Sequence, residues 1–157
     1  MTKSLKILAG IIIAGFLVAI LGLVALAQRA PVQAALPTGG IERAVAAADD
    51  AHLHLTAVSP MDAYGEEFVA AAAVCPRATP ESVVEQLGLP SAPEGLPDKV
   101  DQDSNYILLI REDGTSAADH ISRDRVDLCS GPQVPPFNAV QMLPLAKTED
   151  GGWVLAA

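Results

Sequence analysis

Tyr106-Ile107-Leu108-Leu109-Ile110-Arg111-Glu112-Asp113-Gly114 is the stretch that decides the fold outside the N-terminal segment. Tyr106–Arg111 is a near-continuous apolar run of strand length, carrying the β-branched and aromatic residues that suit a pleated, buried surface. Asp113-Gly114 follows at once. That dipeptide tolerates the positive φ values of a tight hairpin turn, so the chain is expected to reverse there and return as a strand over Ala117–Ile121.

Working outward, further strands are expected around Arg125–Cys129, Val140–Leu145 and Trp153–Ala156, the last two joined by the turn residues Glu149-Asp150-Gly151-Gly152. On the other side, Leu89–Asn105 holds three prolines and four acidic residues and reads as a solvated loop. Thr79-Pro80-Glu81-Ser82 supplies an N-cap, a first-turn proline and an early acid. Val83, Val84 and Leu87 then form an apolar stripe before Gly88, which predicts a short helix over 80–87. Phe68–Cys75 (FVAAAAVC) is compatible with a helix by composition and with a buried strand ending before Pro76. His52–Val58 (HLHLTAV) alternates and reads as a strand stopped by Ser59-Pro60, with Leu53 and Leu55 facing inward. Ile41–Ala51 predicts a helix with Ile41, Val45 and Ala48 on one face. Residues 41–157 therefore make one small α+β domain with a mainly antiparallel sheet.

The chain has 157 residues, 50% of them hydrophobic, and a formal net charge of −9. These averages pool two unlike parts. Residues 7–27 (ILAGIIIAGFLVAILGLVALA) carry no charge, and all nineteen acidic residues follow them. From Gln28 onward eight Lys/Arg oppose nineteen Asp/Glu, a net of −11, which excludes a basic nucleic-acid binder. As a helix, the apolar stretch would span roughly 31 Å, close to the hydrocarbon thickness of a bilayer. Lys3 and Lys6 precede it without an acid, so the positive-inside rule puts residues 1–6 in the cytoplasm and the remainder outside. The expected location is thus the plasma membrane, in a single pass. Ala25-Leu26-Ala27 also reads as a signal-peptidase site, and the alternative is a secreted small protein beginning at Gln28. The apolar stretch exceeds the usual length of a cleaved signal, which favours a retained anchor. Residues 28–40 (QRAPVQAALPTGG) read as a stalk whose prolines and glycines discourage regular structure.

Cys75 and Cys129 are the only cysteines, and both fall on the outer side. An oxidising compartment and an even count favour one disulfide over a redox-active pair, which would need C-x-x-C spacing. Closing a loop of about 55 residues contributes roughly 4 kcal/mol in the chain-entropy account. The chemical motifs are weaker. His52-x-His54 on one strand face has a spacing used by metal sites, with His120 as a conceivable third ligand. Two histidines on a solvent face account for the same letters. Asp101-x-Asp103-x-Asn105 with Glu112 copies part of a calcium loop, but the sixth position is Tyr106 where a glycine is needed. Glu66-Glu67 would point to opposite sides of a strand and form no acid/base pair. No nucleophile elbow, H-E-x-x-H, Walker loop or dinucleotide fingerprint is present, so neither an enzyme nor a cofactor is indicated.

The Lys3-Ser4-Leu5-Lys6 start before the apolar stretch, Cys75-Pro76 with Thr79-Pro80-Glu81 and Leu87-Gly88, the Y-I-L-L-I-R-x-D-G stretch and the closing Val126-Asp127-Leu128-Cys129 together give a layout that resembles small single-pass envelope proteins of actinobacteria. Some proteins of this plan are accessory subunits of the actinobacterial respiratory supercomplex. The resemblance implies integral membrane proteins or a membrane complex as partners, and contact with the bilayer through the anchor. The expected function is a non-catalytic, membrane-anchored accessory or interaction protein. The alternative is a ligand- or metal-binding envelope domain using His52 and His54.

Overall fold

The computed structural model describes residues 38–131 and 134–156. The expected cytoplasmic segment 1–6, the expected anchor 7–27 and the expected stalk as far as Pro37 lie outside the described residues. Among the described residues no helix is long and apolar enough to cross a membrane.

The described chain is a small α+β domain with mainly antiparallel sheets and one disulfide. Its order is α1 (Gly40–Asp50), β1 (Leu55–Val58), α2 (Pro60–Tyr64), β2 (Phe68–Val74), α3 (Pro80–Leu87), β3 (Ser104–Arg111), β4 (Ser116–Ser122), β5 (Val126–Asp127), β6 (Phe137–Asn138), β7 (Leu143–Lys147) and β8 (Trp153–Leu155). Two four-stranded sheets form where the sequence suggested one: β4-β3-β2-β6, and β1-β7-β8-β5, in which only β5 and β8 run parallel.

The β3–β4 hairpin follows from Asp113-Gly114. Gly114 takes φ +83°, and the Asp113 carboxylate accepts from the Thr115 amide at 2.9 Å, closing the turn. The Tyr106–Ile110 part of β3 is apolar because its sheet packs against a core on each face. Ile107 and Leu109 point into a large core shared with α1 and the second sheet, while Tyr106 and Leu108 point into a smaller one beneath α3. Phe68–Val74 resolves as strand, paired through its backbone with β3 on one side and β6 on the other. A register shift between Phe68 and Ala70 adds one residue to β2. That bulge brings Phe68 and Ala71 into the same core, although three-residue spacing would otherwise send them to opposite faces.

α3 begins and ends where the sequence placed it. Thr79 and Ser82 form a reciprocal capping box, and Gly88 closes the helix at φ +65°. α2 was not foreseen, yet Ser59-Pro60-x-Asp62 is a start signal of the same kind: Ser59 Oγ accepts from the Asp62 amide and Pro60 occupies the first turn.

Several expectations need correction. β1 begins at Leu55, because His52 takes φ 56° and ends α1: its amide donates to Asp49 O (2.9 Å) and the Leu53 amide to Ala48 O (2.9 Å). This is a Schellman cap with histidine at the position glycine usually occupies. Leu53 and Leu55 are consequently exposed rather than inward. The strand expected at Val140–Leu145 lies later, over Leu143–Lys147, and Arg125–Cys129 contributes only Val126 and Asp127 to a sheet. Asn105 belongs to no solvated loop, being wholly buried in β3.

Cys75 and Cys129 are joined, with Cα atoms 5.7 Å apart. Cys75 directly follows β2 and Cys129 comes two residues after β5, so the bond links one sheet to the other.

Candidate functional site

β1 pairs with β7 on one side only, which makes it an edge strand. Its register sets Leu55 opposite Ala146 and Ala57 opposite Pro144, and Ala146 in turn faces Val154 of β8. The alternating partners Val58, Leu143, Leu145, Trp153 and Leu155 fill the core. Leu55, Ala57, Pro144, Ala146 and Val154 therefore share the outer face of this sheet. Leu55 is 63% exposed there, and Leu53, just before it, 48%. An apolar sheet face beside an open strand edge is the arrangement by which one protein adds to another. Pro144 fits this strand because its missing N–H falls at the end of the β7–β8 ladder, where the Ala156 amide still donates to its carbonyl (2.9 Å).

Two cavities flank the core. One, about 390 Å³, lies against the disulfide between β2 and α3. Its wall is aliphatic, with Ala72, Val74, Val83 and Leu87 facing Val134 and Pro135 and only Gln86 offering an amide. Cys75 and Pro76 also line it, and the turn that follows them is held by the Arg77 amide donating to Val100 O (2.9 Å). The second, also about 390 Å³, lies beside the N-terminus of α1.

The buried polar groups are engaged in holding the fold. Asn105 Nδ2 donates to Ile121 O (2.9 Å) and Val126 O (3.1 Å), and its Oδ1 accepts from the Leu128 amide (2.8 Å). The Tyr64 hydroxyl donates to Asp119 Oδ2 (2.6 Å) and accepts from the Ile41 amide (3.1 Å), so it caps α1 with a carboxylate behind it. Burial, together with the Asp119 carboxylate, raises the Tyr64 phenol above the ordinary tyrosine range and keeps it a donor. Gly40 allows this contact, since a Cβ there would meet the Tyr64 ring at 2.5 Å. Asp127 lies in a similar knot with Arg123, Ser130 and the Cys129 amide. Burial pushes its carboxyl up, but these donors outweigh it and hold the group below the usual carboxylate range.

The sequence candidates are dispersed by the fold. His52 and His54 are exposed on the turn between α1 and β1, not on a strand face. His120 stands on β4, its ring edge against Tyr106 and its Nε2 3.1 Å from Ser104 Oγ. Among the described residues no group of three or more His, Cys, Asp or Glu is arranged to hold a metal ion. Asn105 gives its side chain to the core, which removes it from the Asp101–Asp103 set, and Glu66 and Glu67 form a turn before β2. The outer face of the β1 sheet was missed because the HLHLTAV alternation was read with the opposite face inward. No family model, curated protein or solved structure matches the chain.

Proposed function

We propose that this chain is a membrane-tethered, extracytoplasmic interaction module that binds an integral membrane protein or membrane complex without catalysing a reaction. The observation that carries the reading is the outer face of the β1–β7–β8 sheet. Leu55, Ala57 and Pro144 are exposed beside an open strand edge, in a domain whose outer part carries a strong negative charge. A sheet face of that composition gains most by burial against another protein. The uncharged stretch 7–27 supplies the tether, and confinement near the membrane raises the effective concentration of the domain for integral partners. The resemblance to respiratory accessory subunits favours a respiratory complex as that partner.

The test is purification of the full chain from its native membrane in mild detergent, beside a Leu55→Asp variant. Leu55 is exposed, so the charge leaves the core untouched. An integral protein recovered at fixed stoichiometry with the unaltered chain and lost with Leu55→Asp is the expected result. Recovery of the chain alone in both preparations would overturn the reading.

A further inference from the structure

The cavity against the disulfide meets β2 edge-on. Ala72, Ala73 and Val74 all line it although their side chains alternate between the two cores, so the edge of the strand faces the opening. On that edge β6 covers only Ala70 and Ala71. The Ala139 amide donates to Val69 O (3.0 Å), which fixes the alternation. Val69, Ala71 and Ala73 turn their backbone groups to the β6 side, while Ala70, Ala72 and Val74 turn theirs to β3. Continuing the Ala71–Phe137 register by two residues sets Pro135 opposite Ala73. Proline has no N–H to give, and the ladder stops there. Among the described residues the Ala73 N–H and C=O consequently have no hydrogen-bond partner, and both face the cavity.

We propose that this edge takes an extended, apolar peptide segment of a partner protein as an added strand, one residue of which exchanges both backbone hydrogen bonds with Ala73. An extended peptide supplies an acceptor and a donor together, which is what an unpaired strand residue needs. The walls suit alternating side chains. A strand laid beside Ala73 has Val83 and Leu87 of α3 on one face and Val134 on the other. Gln86 is the only polar side chain in the described lining. From Ala72 to Cys75 the edge runs about 10 Å, enough for about three or four residues of the partner. Eight Lys/Arg against nineteen Asp/Glu from Gln28 onward favour basic residues on either side of that apolar stretch. The site lies on the sheet that does not contain β1, and it stands whether or not the β1 face binds a membrane protein.

Hydrogen–deuterium exchange of the full chain in lipid discs, resolved to single amides, reports on this edge. The probe is an acetylated and amidated Lys-Val-Ala-Val-Ala-Val-Lys peptide. Its counterpart has the same sequence with every interior amide N-methylated, since a methylated nitrogen cannot join a ladder. The Ala73 amide should exchange fast in the chain alone and severalfold more slowly with the first peptide at millimolar concentration. The methylated peptide should leave that rate unchanged. Ala72, whose amide faces β3, is the internal reference and should keep one slow rate throughout. Unchanged Ala73 exchange with the first peptide would overturn the proposal. Equal slowing by both peptides would overturn it as well, because the cavity then fills without strand addition. So would slow Ala73 exchange before any peptide is added: protection that grows with protein concentration assigns the edge to a second copy, and protection independent of concentration assigns it to the chain itself.

Discussion

Asn105 shows how much a single polar side chain contributes here. It donates to the Ile121 carbonyl of β4 and to the Val126 carbonyl of β5, and it accepts from the Leu128 amide, two residues beyond Val126. Since β4 and β5 belong to different sheets, this amide ties the two together from within. Its replacement by Leu keeps the approximate shape but strands one amide and two carbonyls away from water. Asn105→Leu is expected to lower stability by about 3 kcal/mol, read as a shift of the urea midpoint with little change in slope. The role was illegible in the sequence, where a polar residue after Asp101 and Asp103 looked like surface or a cation ligand. Its burial depends on partners 16, 21 and 23 residues away, which no local pattern records.

At the scale of the element, two helix ends solve one problem with opposite residues. α3 closes on Gly88 at φ +65°, where an added Cβ would meet nothing within 4 Å. α1 closes on His52 at φ 56°, paying the left-handed cost with a full side chain. Exchange experiments should therefore run in opposite directions. Gly88→Ala is expected to cost about 1 kcal/mol, from backbone conformation alone. His52→Gly should gain a few tenths to about 1 kcal/mol, because relief of the strained cap is partly offset by a looser unfolded chain. Thermal midpoints of the two variants check both signs. Elements with signals inside a few residues were legible: Asp113-Gly114 gave the hairpin, and Thr79-Pro80 with Gly88 gave α3. β1 was legible only in part. Alternation in HLHLTAV shows which residues share a face, but which face meets the core is settled by Leu143, Leu145 and Trp153, far along the chain.

For the whole molecule, the Cys75–Cys129 bond and Asn105 act on the same junction between sheets, one covalently and one by hydrogen bonds. Only the first could be read from the sequence, because two cysteines allow one pairing whereas an asparagine allows many. At a sequence separation of 54, the cysteines constrain the unfolded chain enough that loss of the bond should cost roughly 4 kcal/mol. A Cys75→Ser, Cys129→Ser double variant is expected to show that loss in urea denaturation, and alkylation of the native protein should find no thiol before reduction.

The order β1-β7-β8-β5 also sets a timetable for biosynthesis. Leu55 pairs with Ala146, so β1 leaves the ribosome long before the strand it needs, and Trp153, a large residue of the main core, arrives later still. The β3–β4 hairpin can close as soon as it emerges, whereas the other sheet waits for almost the entire domain. Such distant pairing slows folding. Throughout that interval the Leu53–Ala57 segment has neither a sheet partner nor cover.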